Sequence, residues 1–204
     1  MGQQDNNSIL RQGITPRRLI VGITGASGAI LAIRLLETLR QSTIETHLVL
    51  SETATLTIHH ETNYQVDDVC ALANFVYDFR DVGAAIASGS FARMGMVIIP
   101  CSIKTLSAVA NSYTDDCLSR AADVTLKEGF PLVLVVRETP YHPGHLRLMS
   151  EAVAAGAVIF PPVPAFYIRP HTVDEIIDNT VGRILARLGI ENNLYQEWQN
   201  HPSE

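Results

Sequence analysis

The 204-residue sequence predicts a single doubly wound α/β domain, three layers thick, around a mostly parallel sheet. Three observations carry that reading. Short continuous apolar runs recur along the chain, segments of helical period separate them, and a glycine-rich loop lies directly between the first run and its helix. Runs apolar on every residue are what strands buried on both faces of a parallel sheet require. Their regular alternation with helices argues for βαβ units joined by right-handed crossovers.

The strands are expected at Leu19-Ile20-Val21-Gly22-Ile23, His47-Leu48-Val49-Leu50, Met96-Val97-Ile98-Ile99, Leu132-Val133-Leu134-Val135-Val136 and Ala157-Val158-Ile159-Phe160. Helices are expected over Ile30 to Leu39, Thr53 to His60, Lys104 to Ala110, Leu118 to Glu128, His145 to Ala154 and Val173 to Leu188. No repeat or long linker interrupts them, so residues 17 to 204 read as one Rossmann- or flavodoxin-like domain behind a flexible tail, residues 1 to 16. In open sheets of this kind ligands sit beyond the carboxyl ends of the strands, near the reversal of strand order. The loops that follow the strands are therefore the ones to read for chemistry.

Composition narrows the function classes. Hydrophobic residues at 47% and charged residues at 18% suit a packed core rather than a disordered chain. With 15 basic against 21 acidic residues and no basic cluster, nothing invites a nucleic-acid backbone. The first sixteen residues lack the apolar stretch of a signal peptide, and no run approaches the roughly 18 apolar residues of a membrane span, which points to the cytoplasm. Cys70, Cys101 and Cys117 are odd in number and form no C-x-x-C pair, so neither a disulfide framework nor a thiolate metal site is indicated. The histidine pairs His59-His60 and His142-x-x-His145 match no specific ligand spacing, and no metal is expected.

The first loop, Thr24-Gly25-Ala26-Ser27-Gly28-Ala29, allows tight turning and offers helix N–H groups to an anion. Its spacing departs from both G-x-G-x-x-G and the Walker pattern, so alone it is equally a plain structural turn. Ser51 either caps the following helix or meets a mononucleotide, and Glu52 beside it stands where a ribose-binding acid would. The stretch Pro100-Cys101-Ser102-Ile103-Lys104-Thr105 offers a second polar cradle or merely a capped helix, with Cys101 reading as a packed hydrophobe. Arg137-Glu138 is either a surface ion pair or an arginine for phosphate beside a carboxylate for proton transfer. The stiff Pro161 to Tyr167 segment is either a connector or a mount for Tyr167 against a ligand.

Seven stretches in order resemble the UbiX-type flavin prenyltransferases: GITGASGA (22 to 29), ETHLVLS (45 to 51), ASGSF (87 to 91), MVIIPCSIKTLSAVA (96 to 110), RAADVTLKE (120 to 128), PLVLVVRETP (131 to 140) and PPVPAFYIRP (161 to 170). The resemblance implies an enzyme that joins a dimethylallyl group from dimethylallyl phosphate to N5 of reduced FMN and closes a ring at C6, without metal. The prenylated FMN would then serve a UbiD-type decarboxylase in ubiquinone or aromatic-acid metabolism, and the chain would assemble as a homo-oligomer, a dodecamer. It implies FMN contacts from Gly25, Ala26, Ser27, Ser51, Ser102, Ile103, Lys104, Thr105 and Arg137. Dimethylallyl phosphate would meet Tyr167, Arg183, Lys127, Arg120 and Trp198, partly across subunits, and Ser27, Glu61, Glu138 and Lys127 would act in catalysis. Two departures touch the flavin surroundings: Glu52 stands where a lysine is usual, and Leu31-Ala32 replace an aromatic-glycine pair.

Two rival readings share this architecture. A flavoprotein decarboxylase of cysteinyl peptides would want a histidine in the helix after the first loop, and that helix has none. A flavodoxin-like FMN carrier would have no use for the second cationic set of Lys127, Arg137, Tyr167 and Arg183.

Overall fold

The computed structural model describes residues 17 to 198; the expected tail, residues 1 to 16, lies outside the described residues. Within them a six-stranded sheet has the order β3-β2-β1-β4-β5-β6, and every ladder is parallel. The strands are β1 (Arg18–Ile23), β2 (Glu45–Leu50), β3 (Phe75–Tyr77), β4 (Gly95–Cys101), β5 (Leu132–Val136) and β6 (Val158–Ile159). Seven α-helices complete the layers: α1 (Ala29–Arg40), α2 (Glu52–Glu61), α3 (Val66–Cys70), α4 (Ile103–Ala110), α5 (Cys117–Lys127), α6 (Pro143–Ala154) and α7 (Val173–Arg187).

The alternation of each central strand divides its side chains between two cores. Leu19, Val21 and Ile23 of β1, with Val97 and Ile99 of β4, face α1 and α7. Ile20, Met96 and Ile98 face the opposite way, against Leu118, Ala121 and Ala122 of α5 and Leu106 of α4. Two-sided burial is why these strands read as unbroken apolar runs. Helix starts follow capping chemistry: Ser51, Ser102, Asp116, His142 and Thr172 each accept a hydrogen bond from a first-turn N–H.

Three expectations need correction. Five strands were expected and six are present, because β3 is only three residues long and its Phe75 and Val76 are half exposed, so it carries no run to read. Helix α3, five residues long, is likewise too short for a period. Pro100 and Cys101 belong to β4 rather than to a loop; the register against β5 shifts between Ile98 and Cys101, where the proline has no N–H to give the ladder. Strand order reverses between β1 and β4, so the candidate site belongs at their carboxyl ends.

Candidate active site

Thr24 ties the two switch-point strands together. Its buried hydroxyl donates to the Pro100 carbonyl at 2.7 Å and accepts from Ser102 N–H at 2.9 Å. Ser51 N–H donates to the Ile23 carbonyl and Arg137 N–H to that of Cys101, so the loops after β1, β2, β4 and β5 are laced along one edge. Helix α2 then lies across the first loop. At one end a Cβ on Gly25 would collide with the Thr53 side chain and stand 3.1 Å from its backbone carbon. At the other, the Glu61 carboxylate accepts from Gly28 N–H at 2.7 Å and Ala29 N–H at 3.2 Å. Gly28 itself sits at φ 106°, a left-handed conformation glycine takes without steric cost.

This arrangement revises one sequence reading. The N–H groups opening α1 are not free for a ligand anion, because Glu61 already occupies the positive end of the helix. The consequence is a carboxylate held next to Ser27, which is exposed. A residue 33 positions away in sequence closes the first loop, and no local pattern announces that.

Beside this loop opens a cleft of about 530 Å³. Ser51, Glu52 and Thr53 line one wall; Ser102, Lys104 and Thr105 line another. Both capping readings hold and are compatible with a ligand role: Ser51 Oγ accepts from Ala54 N–H at 3.2 Å, and Ser102 Oγ accepts from Thr105 N–H at 3.3 Å. Two helix N-termini thus meet at one cleft, an arrangement suited to a phosphate. Glu52 is charge-compensated by Arg80, which donates to it from Nε at 2.9 Å, so the departure from the family's lysine leaves no bare negative charge at the wall. The size lies within the roughly 300–1,000 Å³ of small-molecule sites. With two helix N-termini and the convergent hydroxyls of Ser51, Thr53, Ser102 and Thr105, these residues fit FMN; Gly25, Ala26 and Ser27 do not line the cleft, and the space a Gly25 side chain would take is filled by Thr53. Sequence reasoning passed over Phe79, Asn111, Tyr113 and Ser119, which also line the cleft and come from segments with no motif of their own.

Other expected residues lie elsewhere in the chain. Ile103 packs partly buried against the core. Arg137 is exposed and makes no ion pair among the described residues, while Glu138 Oε1 accepts from Thr139 N–H at 2.9 Å; of the two readings of this pair, the surface ion pair is not formed. Tyr167 stands edge-on to Trp198, ring centroids 5.5 Å apart, and donates its hydroxyl to the Gln196 carbonyl at 2.8 Å. Arg183 lies over the Phe160 ring at 5.8 Å. Arg120 pairs with Asp123 at 3.1 Å, and Lys127 pairs with Glu128. Helix α5 starts against β1, with Leu118 Cδ1 3.0 Å from a Cβ on Gly22, and ends with Thr125 against Met96 at the start of β4. Lys127 therefore sits at the amino edge of the sheet, opposite the cleft in its own chain.

Burial pushes the Cys117 thiol up to about 12 and the Cys101 thiol still further, so both stay protonated and inert, as packed hydrophobes do. Among the described residues no group of three or more metal-binding side chains is assembled, and no helix is long and apolar enough to cross a membrane.

Comparison with known proteins agrees with the fold. The flavoprotein family model matches residues 8 to 185. The chain is 58% identical over 186 residues to the flavin prenyltransferase UbiX of Escherichia coli K12, covering 90% of this chain and 98% of that one. Among solved structures, AnUbiX (PadA1) in complex with FMN and dimethylallyl pyrophosphate superposes with a TM-score of 0.90 at 47% identity, over 92% of this chain and all of the other. A dodecameric FMN-dependent UbiX-like decarboxylase from Escherichia coli O157:H7 gives a TM-score of 0.88 at 48% identity, over 90% of this chain and 100% of that one.

Proposed function

The chain belongs to the flavoprotein family and is a flavin prenyltransferase of the UbiX type, and from that footing we propose how its own residues do the work. Gly25, Ala26, Ser27, Ser51, Ser102, Lys104, Thr105 and Arg137 hold FMN. The hydroxyls and helix N-termini of α2 and α4 take its polar groups, and the first loop, which Gly25 seats against Thr53 of the cleft wall, borders its ring. Reduced FMN, when bound, supplies the nucleophile. The observation that carries this reading is the pinning of the first loop between Thr53, which lines the cleft, and Glu61, whose carboxylate is held on the N–H of Gly28 next to Ser27.

The donor is dimethylallyl phosphate. Its carbon–oxygen bond breaks as the new bond to carbon forms, and the electron pair leaves with the phosphate. Cations must therefore hold the leaving group while aromatic faces shelter the allylic carbon. Arg183, Arg120 and Lys127 supply the charge and Tyr167 with Trp198 the faces. Ser27 orients the reacting atoms, while Glu61 and Glu138 assist proton movement as the second bond forms, when one alkene carbon gains a proton and the ring carbon that is alkylated loses one. Lys127, at the far edge of its own chain, works on the cleft of a neighbouring copy, which makes the active enzyme a homo-oligomer, a dodecamer. The product passes to a UbiD-type decarboxylase, and the setting is the cytoplasm.

Arg183→Ala tests the division of labour. FMN affinity stays as in the wild type while prenyl transfer is lost; retention of full transfer would remove Arg183 from the donor site.

A further inference from the structure

Arg93 is an arginine buried to 4% exposure that has no carboxylate within ion-pair distance among the described residues. Burying a guanidinium is costly unless all its donors are used. Here four hydrogen bonds, from all three nitrogens, go to two different segments. Nε donates to the Phe91 carbonyl at 3.2 Å and Nη2 to that of Ser88, both in the loop before β4. Nη1 donates to the Ala121 carbonyl at 3.4 Å and the Thr125 hydroxyl at 3.1 Å, both on α5. The Phe91 ring lies 5.5 Å from the guanidinium carbon. Only a planar fork with donors on several sides bridges loop and helix in this way.

The two segments so joined meet again one turn further on. A Cβ on Gly89 would run into the Glu128 carboxylate and stand 3.0 Å from Lys127 Nζ, so the paired Lys127 and Glu128 heads rest on the loop's backbone. We propose that Arg93 is a positioning residue that clamps the Ser88–Phe91 loop to α5 and thereby fixes where Lys127 presents its ammonium to the donor phosphate. This rests on the donor-site role of Lys127 given above; Arg93 touches no substrate.

The test compares Arg93→Met and Arg93→Lys with the wild type. Three constants are measured on the full chain: KM for dimethylallyl phosphate in anaerobic prenylation, Kd for FMN, and Kd for inorganic phosphate by calorimetry, with Lys127→Ala as the reference for loss of the phosphate contact. Misplacing a positioning group is expected to raise KM and the phosphate Kd about tenfold in Arg93→Met, with FMN affinity unchanged. Arg93→Lys keeps the charge but not the fork and is expected to recover only part of the loss. Should Arg93→Met fail to fold, Thr125→Val removes a single acceptor of the clamp and is expected to shift the same two constants in the same direction. Unchanged KM and phosphate Kd in the folded variant would overturn the clamp. So would full rescue by lysine, or parallel loss of FMN affinity, since a merely structural role moves all three. If the wild type itself transfers no prenyl group, the donor reading fails, and the phosphate Kd series still judges the clamp separately.

Discussion

Replacing Gly25 with alanine probes the narrowest contact of the site. The added Cβ would collide with the side chain of Thr53 and lie 3.1 Å from its backbone carbon, so a rotamer change at Thr53 relieves only part of the overlap. The first loop or the start of α2 must move, and the start of α2 carries the cleft residues Glu52 and Thr53. Overpacking of this kind costs about 1–3 kcal/mol. At about 2–4 °C per kcal/mol for a chain of this length, Tm falls by several degrees. The displacement also shifts the cleft wall at Thr53, so FMN affinity, followed by quenching of flavin fluorescence, is expected to fall by at least tenfold. The double variant Gly25→Ala/Thr53→Gly recovers part of both losses, because it removes the side chain that is struck. A Gly25→Ala protein with wild-type Tm and wild-type FMN affinity would refute the steric reasoning.

Other expectations follow from neighbouring contacts. Thr24→Val takes the acceptor from the part-buried Ser102 N–H and leaves the Pro100 carbonyl only the Thr24 N–H at 3.3 Å, at about 1–3 kcal/mol by denaturant titration, whereas Thr24→Ser stays near wild type. Glu61→Gln keeps an acceptor for Gly28 and Ala29 but removes the charge; single-turnover prenylation slows while FMN binding persists, and an unchanged rate would clear Glu61 of a proton-transfer role. Glu138→Gln retains an acceptor for Thr139 N–H and is expected to slow product formation in the same assay. His47 is buried beneath Phe75 and Phe91, and burial holds its pKa below the ordinary 6.5 despite the hydrogen bond to Glu45. The neutral ring donates to Glu45 and accepts from Tyr77, which is the tautomer its partners select. The unfolded chain then binds the proton more readily than the native one, so stability is lost as pH drops below about 6.5, and His47→Phe flattens that slope in thermal melts taken from pH 7.5 to 5.5.

The parts of the fold legible in sequence are those set by burial. β1, β4 and β5 are covered on both faces and so show unbroken apolar runs, and α1, α5 and α7 carry clear apolar stripes. β3 was hidden because an edge strand three residues long, with Phe75 and Val76 half exposed, has no pattern to offer. The cap residues Ser51 and Ser102 were legible because capping is local chemistry. The hold of Glu61 on the first loop, the Thr24 tie and the Arg93 clamp were not, since each joins segments that only the folded chain brings together. The position of Lys127 follows from the run of α5 toward the amino edge, which composition cannot show.

The most direct test is anaerobic incubation of the purified protein with reduced FMN and dimethylallyl phosphate, followed by mass analysis of the released flavin. A flavin heavier by one cyclised five-carbon unit, formed without added metal, is the expected result. FMN that binds but is recovered unaltered, with either the monophosphate or the diphosphate donor, would contradict the assignment.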